Sequence, residues 1–81
     1  MADVDEIELL VATRRKAQVM AFVRENADDE GAFRLSNTVI SREARIPKRS
    51  VEWAIHELYT EGAIIPEYHV DGVARVLRIA A

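Results

Sequence analysis

A proline at position 47 divides the middle of this chain into two helices that must lie close together. Proline pushes the residue before it, Ile46, out of the α region, and Pro47 itself suits the opening turn of a new helix. Ser36 is placed to cap the first of these helices, which we predict over about 37–44. The second helix should end near Gly62, a C-cap candidate that adopts a positive φ without steric cost. The spacing therefore predicts two helices joined by a tight turn.

The helix after Pro47 shows the clearest amphipathic pattern in the chain. Its apolar stripe recurs at helical spacing and consists of Val51, Ala54, Ile55 and Leu58. The opposite face then displays Arg49, Trp53 and His56. The pattern thus indicates which side of this helix enters the core and which side is left for a partner.

Two runs of β-type residues follow, over 64–70 and 73–79, and Asp71-Gly72 joins them. Asp-Gly between alternating runs is the strongest short-range hairpin signal, because a type I′ turn needs a positive φ at both of its central positions. The residue pairs predicted across this turn are Val70–Val73, Tyr68–Arg75 and Pro66–Leu77.

The N-terminal part of the chain combines many charges with apolar residues at spacings of three and four, which are Ile7, Leu10, Val11, Ala17, Met20 and Ala21. We predict a helix over about 4–26. Because roughly 23 residues is twice the usual helix length, either it breaks near Thr13 or its first part protrudes. A protruding apolar stripe usually pairs with a second copy, so we expect Ile7, Leu10 and Val11 to form a dimer contact. The run 32–35 is short enough for a single edge strand.

Composition restricts the functions open to a chain of 81 residues. A chain this short buries only about 60% of its unfolded surface, so we expect one domain without a large catalytic pocket. The absence of cysteine excludes disulfides, zinc–thiolate sites and thiol nucleophiles. Neither His56 nor His69 has further ligands at metal spacing. No nucleophile–base pair or glycine-rich phosphate loop stands out, so we expect a protein that is not an enzyme and has no cofactor or metal.

The chain also lacks the features that direct a protein to a membrane. No apolar run approaches the ~20 residues that cross a bilayer, and the acidic start lacks the basic region of a signal peptide. We therefore expect a cytoplasmic protein that does not associate with a membrane.

The distribution of charge indicates the kind of partner. The formal net charge of −3 weighs against nonspecific coating of nucleic acid. Over 31–49, however, the sign reverses, because five bases face only Glu43; these bases are Arg34, Arg42, Arg45, Lys48 and Arg49. The basic stretch coincides with the two helices around Pro47, so it marks this part of the chain as a candidate anion-binding surface.

The residues around this turn follow a recognisable order: a small residue at Ser41, apolar Ala44, Ile46 before the turn, a Ser50-Val51 pair, apolar Ile55 and Leu58, and Gly62-Ala63-Ile64. This pattern resembles the helix-turn-helix core of winged-helix transcription regulators, and with the flanking strand and hairpin the resemblance covers nearly everything from Arg14 onward. It implies an α+β fold, a small winged helix-turn-helix in the order helix–strand–helix–helix–strand–strand with an extended N-terminal helix. We expect residues 1–81 to form one domain, with a helical extension over 1–13, the helix-turn-helix over 36–62 and the hairpin wing over 63–80.

The resemblance implies a site for double-stranded DNA. In helix-turn-helix proteins the N-terminal residues of the third helix enter the major groove, where arginine bonds bidentately to guanine, so Arg49 is the first candidate for base readout. Arg42, Arg45 and Lys48 are better placed for phosphates, and Arg75 near the hairpin tip for a narrow minor groove. The expected DNA-contacting residues are Arg42, Arg45, Lys48, Arg49, Ser50, Trp53, His56 and Arg75. The function implied is sequence-specific DNA binding by a small homodimeric transcriptional regulator.

Three of these residues have a second interpretation. Lys48 and Glu52 are four residues apart and suit an ion pair on a solvated helix face equally well. Trp53 either stacks on a partner or packs against neighbouring side chains. Arg45 stands where a glycine is common, and a left-handed conformation there costs about 1 kcal/mol, so either the turn differs or a phosphate contact compensates.

A different function is open to the same scaffold, because fold alone does not determine function. A winged-helix domain also serves as a protein-interaction module in multisubunit complexes without contacting DNA, and here Trp53, Tyr59 and Tyr68 would be its anchors. Acidic residues in the third helix, Glu52, Glu57 and Glu61, would repel phosphate if they faced it. A contiguous positive face favours DNA, whereas scattered bases around exposed aromatic residues favour a protein partner.

Overall fold

The computed structural model describes residues 3–68 and 75–80. The elements in chain order are α1 (Asp3–Asn26), β1 (Ala32–Phe33), α2 (Asn37–Ala44), α3 (Lys48–Thr60), β2 (Ile64–Tyr68) and β3 (Arg75–Ile79). The three strands form one antiparallel sheet in the order β1–β3–β2. These helices and this sheet confirm the predicted α+β class and are compatible with a winged-helix-like fold. In the described ranges no helix combines the length and the apolar character needed to cross a membrane.

The ends of α2 follow from the residues that flank it. The Oγ atom of Ser36 accepts a hydrogen bond from the backbone N–H of Val39 at 3.2 Å, which confirms the predicted N-cap. After α2, Arg45 adopts φ 57° and ψ 45°, the left-handed conformation. Across it the Ile46 N–H donates to the Ser41 carbonyl at 3.1 Å, and Ser41 Oγ donates to the Ile46 carbonyl at 2.6 Å. The turn therefore has the left-handed geometry, although its residue is an arginine.

The end of α3 is closed in a similar way, but with glycine. Gly62 has φ 80°, and its N–H donates to the Tyr59 carbonyl at 3.0 Å while the Ala63 N–H donates to the Leu58 carbonyl at 2.9 Å. This pair of bonds defines a Schellman motif. The cap residue is Glu61 and Gly62 follows it, so the positive φ expected at Gly62 is confirmed one position beyond the cap.

The sheet has the register predicted from the hairpin wherever it is described. Tyr68 pairs with Arg75 and Pro66 with Leu77, as expected. On the other side of β3, Phe33 also pairs with Leu77, so β3 is the central strand and β1 is an edge. The strand β1 has only two residues and is shorter than the predicted run. The Val70–Val73 pair and the Asp71-Gly72 turn lie outside the described residues.

The core lies between the three helices and one face of the sheet. Its largest fully buried side chains are Phe33, Ile40, Ile64, Val19, Val23 and Val51. Phe22 contacts Phe33 edge to face, with ring centroids 6.2 Å apart. The predicted stripe of α3 is confirmed, since each of its four residues is buried. The face of α3 opposite this stripe is consequently turned outward.

The core-facing side of α1 differs from the predicted one. The helix is continuous and does not break near Thr13. Val19, Met20 and Val23 enter the core, whereas the remaining members of the predicted stripe are exposed: Ile7, Leu10, Val11, Ala17 and Ala21. In the second half of α1, burial of Val19 and Val23 removes more apolar surface from water than burial of Ala17 and Ala21 would, which explains why this face packs inward there.

Candidate nucleic-acid interface

Four cationic side chains surround the turn between α2 and α3. Arg42 lies in the last turn of α2, Arg45 occupies the left-handed position, and Lys48 and Arg49 begin α3. All four are exposed. We call them the cationic turn. Because they lie within eight consecutive residues, local structure alone brings them together.

Most of the cationic turn has no acidic partner within the described part of the chain. The guanidinium of Arg42 lies 3.9 Å from the Glu43 carboxylate, at the outer limit of an ion pair. Arg45, Lys48 and Arg49 form no ion pair or side-chain hydrogen bond with another described residue. The Lys48–Glu52 ion pair that the spacing allowed is therefore not formed. These charges are open to an external anion.

The outward face of α3 carries Arg49, Trp53 and His56. Successive residues of an α-helix are rotated by about 100°, so these three project away from the buried stripe. Trp53 is 37% exposed, so a substantial part of this large residue is accessible to a partner. His56 is exposed, and residues 3–68 and 75–80 contain no group of three histidine or acidic side chains suited to a metal ion.

A groove runs between this face of α3 and the first half of α1. Its volume is about 600 Å³, and it is lined by Ile7, Glu8, Val11, Ala12, Arg15, Arg49, Ser50 and Trp53. Residues that we predicted for DNA and residues that we predicted for a dimer therefore border one groove. The sequence offered no signal for this, because the groove depends on how α1 crosses α3, roughly 40 positions later in the chain.

Two side chains of α1 contact α3 at widely separated points. Arg15 Nη1 donates a hydrogen bond of 3.0 Å to Ser50 Oγ in the first turn of α3. Lys16 Nζ forms an ion pair with Glu61, just after the last turn. Ser50 is half-buried, so among the expected DNA-contacting residues it serves mainly as a contact between helices.

The three acids predicted for the third helix lie in different surroundings. Glu61 is partnered by Lys16, which offsets its charge. Glu57 is half-buried. Glu52 is exposed and borders a second groove, of about 360 Å³, together with His56 and residues of β2. Only Glu52 therefore stands exposed and without a described basic partner beside the cationic turn.

Of the hairpin residues near the predicted DNA contact, only the backbone of Arg75 belongs to the described part of the chain. The backbone of Arg75 begins β3 opposite Tyr68. Its side chain, and the whole of His69, lie outside the described residues. The expected minor-groove contact of Arg75 stays a prediction.

Two groups with shifted pKa values lie at the loop that joins α1 to β1: Asp28 belongs to this loop, and Arg78 contacts it from β3. The backbone N–H groups of Ala32 and Glu30 each donate to Asp28 Oδ1 at 2.9 Å and lower the pKa of Asp28. Arg78 holds the same loop: its Nη1 donates to the Glu30 carbonyl at 2.8 Å, while Nε donates to Glu67 Oε1 at 2.6 Å. The Glu67 carboxylate raises the pKa of Arg78. Since none of these groups belongs to the cationic turn, we assign them to folding.

The residues expected at a dimer contact are among the most exposed apolar side chains described. Leu10 is 69% exposed and Ile7 is 60% exposed, and Val11 lies between the groove and solvent.

Comparison of the chain with profiles of known protein families, with curated proteins and with solved structures found no match.

Proposed function

We propose that this chain binds double-stranded DNA through the cationic turn and the outward face of α3, as a winged helix-turn-helix protein. The observation that carries the proposal is the set of four exposed cations on eight residues, three of them without a described acidic partner. Release of counterions from neutralised phosphates is the main source of affinity for duplex DNA. The N-terminal end of α3 adds the positive end of a helix dipole to the same surface.

Within this proposal the cations divide into two roles. Arg42, Arg45 and Lys48 contact phosphates and set the register of the protein on the duplex. Arg49 points from the first turn of α3 toward base edges in the major groove, where guanine offers two acceptors. The hairpin with Arg75 lies near the backbone or the minor groove. The protein then acts as a transcriptional regulator in the cytoplasm.

The conformation of Arg45 supports a role for its side chain. A left-handed residue other than glycine is strained by about 1–2 kcal/mol, and residues strained in this way are enriched at functional sites. Gly62 shows that this chain uses glycine at the equivalent closure of α3. An arginine at position 45 is therefore better explained by contact with an anion than by the needs of the turn.

One observation favours a protein partner instead. The groove beside Arg49 has apolar walls from Ile7, Val11 and Trp53, and it also contains the carboxylate of Glu8. Apolar grooves with a half-exposed tryptophan are typical of protein interfaces. Under this second candidate the substitution Trp53→Ala removes binding, and neutralising the cationic turn does not.

Fluorescence anisotropy with a labelled random-sequence duplex, measured over a series of salt concentrations, tests the proposal. We expect binding that weakens with salt, and the double substitution Arg45→Gln with Lys48→Gln should reduce the slope of log K against log salt by about 0.9 per lost phosphate contact. Arg24→Gln with Arg34→Gln is the matched control, since both arginines are exposed, neither belongs to the cationic turn and the change in net charge is the same.

The outcomes separate the two candidates. A titration that stays flat at low ionic strength overturns DNA binding. An equal loss in the control pair shows attraction by overall charge and not by the cationic turn, which also contradicts the proposal. Selection of bound duplexes from a random pool then identifies the preferred sequence, and a palindrome indicates a twofold-symmetric complex.

A further inference from the structure

The helix α1 carries a second stripe, on the side that faces away from the core. Its members recur at alternating spacings of three and four residues, which is the heptad pattern of a helix–helix contact. All of them are exposed, and we call them the outer seam: Ile7, Leu10, Arg14, Ala17 and Ala21. Val19 and Val23, which are fully buried, lie on the other side of the same helix. The helix therefore has two packing faces, of which one is covered by the rest of the chain.

The outer seam has the composition of a surface that packs against another helix. Its first half presents the large apolar side chains of Ile7 and Leu10 to solvent. A contiguous exposed apolar stripe on a helix indicates an interaction site. In its second half, Ala17 has a small side chain that allows a second helix to approach closely.

We propose that the outer seam pairs with the same seam of a second copy of this chain, with the two α1 helices antiparallel. Charge determines the direction. The acids of the first half of α1 lie within 3–8, and its bases lie at 14–16. A parallel pair sets acid beside acid and base beside base. An antiparallel pair sets each acidic segment opposite Arg14 of the other copy, with the twofold axis close to Leu10. Arg15 and Lys16 contact α3 of their own copy and add only longer-range attraction.

The same arrangement leaves most of the proposed DNA surface uncovered. No residue of the cationic turn belongs to α1, and among the members of the outer seam it is Ile7 that also borders the groove containing Arg49. Pairing therefore does not depend on DNA binding, and each proposal can fail without the other. A self-complementary patch of this kind closes after two copies and does not propagate.

Light scattering coupled to gel filtration tests the pairing in the full chain. We expect a mass of twice 9.2 kDa, falling to 9.2 kDa for Leu10→Asp. Since Leu10 is 69% exposed, the variant should keep the circular dichroism spectrum and the folding of the parent. Leu9→Asp is the matched control: it introduces the same charge at a residue that is 63% exposed but lies 100° around the helix, and it should leave the dimer mass unchanged.

A single-cysteine experiment tests the direction, because the chain has no cysteine of its own. In the antiparallel pair, Leu10→Cys lies near the axis and should be crosslinked by a short bismaleimide. Ala21→Cys should not be crosslinked, because its two copies are about 33 Å apart along the helices at 1.5 Å per residue. Equal crosslinking at both positions shows a parallel pair and overturns the proposal. A monomeric mass for the parent chain, or an equal loss of dimer in Leu9→Asp and Leu10→Asp, also overturns it.

Discussion

Among the described residues, Arg45 is the one residue other than glycine with a positive φ. Its φ of 57° is reinforced by the two hydrogen bonds between Ser41 and Ile46, so the neighbouring structure holds the strain in place. Its guanidinium forms no ion pair or hydrogen bond with another described residue that would offset the cost of this conformation. A residue of this kind allows stability and binding to be separated by substitution.

We expect Arg45→Gly to raise the free energy of unfolding by up to about 1 kcal/mol, because glycine adopts the left-handed region without steric cost. For a domain of this size that corresponds to an increase in Tm of about 4–8 °C, measured by circular dichroism. Arg45→Ala is the control, since it removes the guanidinium and keeps the strain; it should weaken DNA binding with no gain in Tm. A lower Tm for the glycine variant would contradict the assignment of strain.

A second residue-scale prediction concerns acid. The N–H groups of Glu30 and Ala32 stabilise the charged form of Asp28 and lower its pKa in the folded state. A carboxyl whose pKa is lower when folded stabilises the fold above its unfolded pKa, and this contribution is lost as the pH falls through the folded pKa. The difference in unfolding free energy between the parent and Asp28→Ala should therefore shrink between pH 6 and pH 3.

Urea denaturation at several pH values measures this difference. Asp28→Asn is the control, because its amide oxygen still accepts a hydrogen bond but does not titrate. The advantage of Asp28→Asn over Asp28→Ala should be the same at each pH. A parent chain whose advantage over Asp28→Ala is unchanged at pH 3 would show that the charge of Asp28 does not stabilise the loop.

The elements with strong local signals could be predicted from the sequence. For α1, the helix could be predicted, but the face that it turns toward the core could not. Ser36, Pro47 and Gly62 set the limits of α2 and α3 through caps and backbone restrictions that act within a few residues. The packing of α1 depends on which of two stripes meets the rest of the chain, and spacing alone does not distinguish them. In the second half of α1, the face containing Val19 and Val23 is buried because these side chains remove more apolar surface from water than Ala17 and Ala21 would.

The same distinction applies to the candidate site. The cationic turn lies within eight consecutive residues, so its charges could be found from the sequence alone. The groove between Trp53 and Val11 joins positions far apart in the chain, and only the crossing of α1 over α3 creates it.

The two faces of α1 predict opposite responses to substitution. Val23→Ala removes two buried methyl groups from the core and should lower the free energy of unfolding by about 2 kcal/mol. Gln18→Ala, at an exposed position of the same helix, should change it by less than about 0.5 kcal/mol. Urea denaturation with a common m-value measures both, and equal effects would mean that the core-facing side of α1 is wrongly assigned.

At the scale of the whole molecule, the fold is elongated. Its principal extents are 48 × 26 × 22 Å, because α1 spans about 36 Å, more than the breadth of the rest of the chain. A small domain with much of one helix exposed gains stability from any partner that covers it.

We therefore expect the Tm of the parent chain to rise with protein concentration, because pairing stabilises only the folded state. Differential scanning calorimetry over a hundredfold range of concentration measures the rise. The Tm of Leu10→Asp should be independent of concentration. A parent Tm that does not change over this range would contradict coupling between folding and pairing.

The unbroken course of α1 has a geometric consequence for the proposed dimer on DNA. Because one rigid helix carries both the outer seam and the core-facing side, one additional residue inserted between Leu10 and Val19 would rotate Ile7 and Leu10 by about 100° and advance them by 1.5 Å relative to the core. In the proposed dimer the two α3 helices must match successive major grooves, which are about 34–36 Å apart. Their separation and relative orientation therefore depend on the number of residues between the dimer contact and the core. An insertion of seven residues, close to two full turns, is the shortest that would change the span of the dimer while nearly preserving the orientation of its two halves.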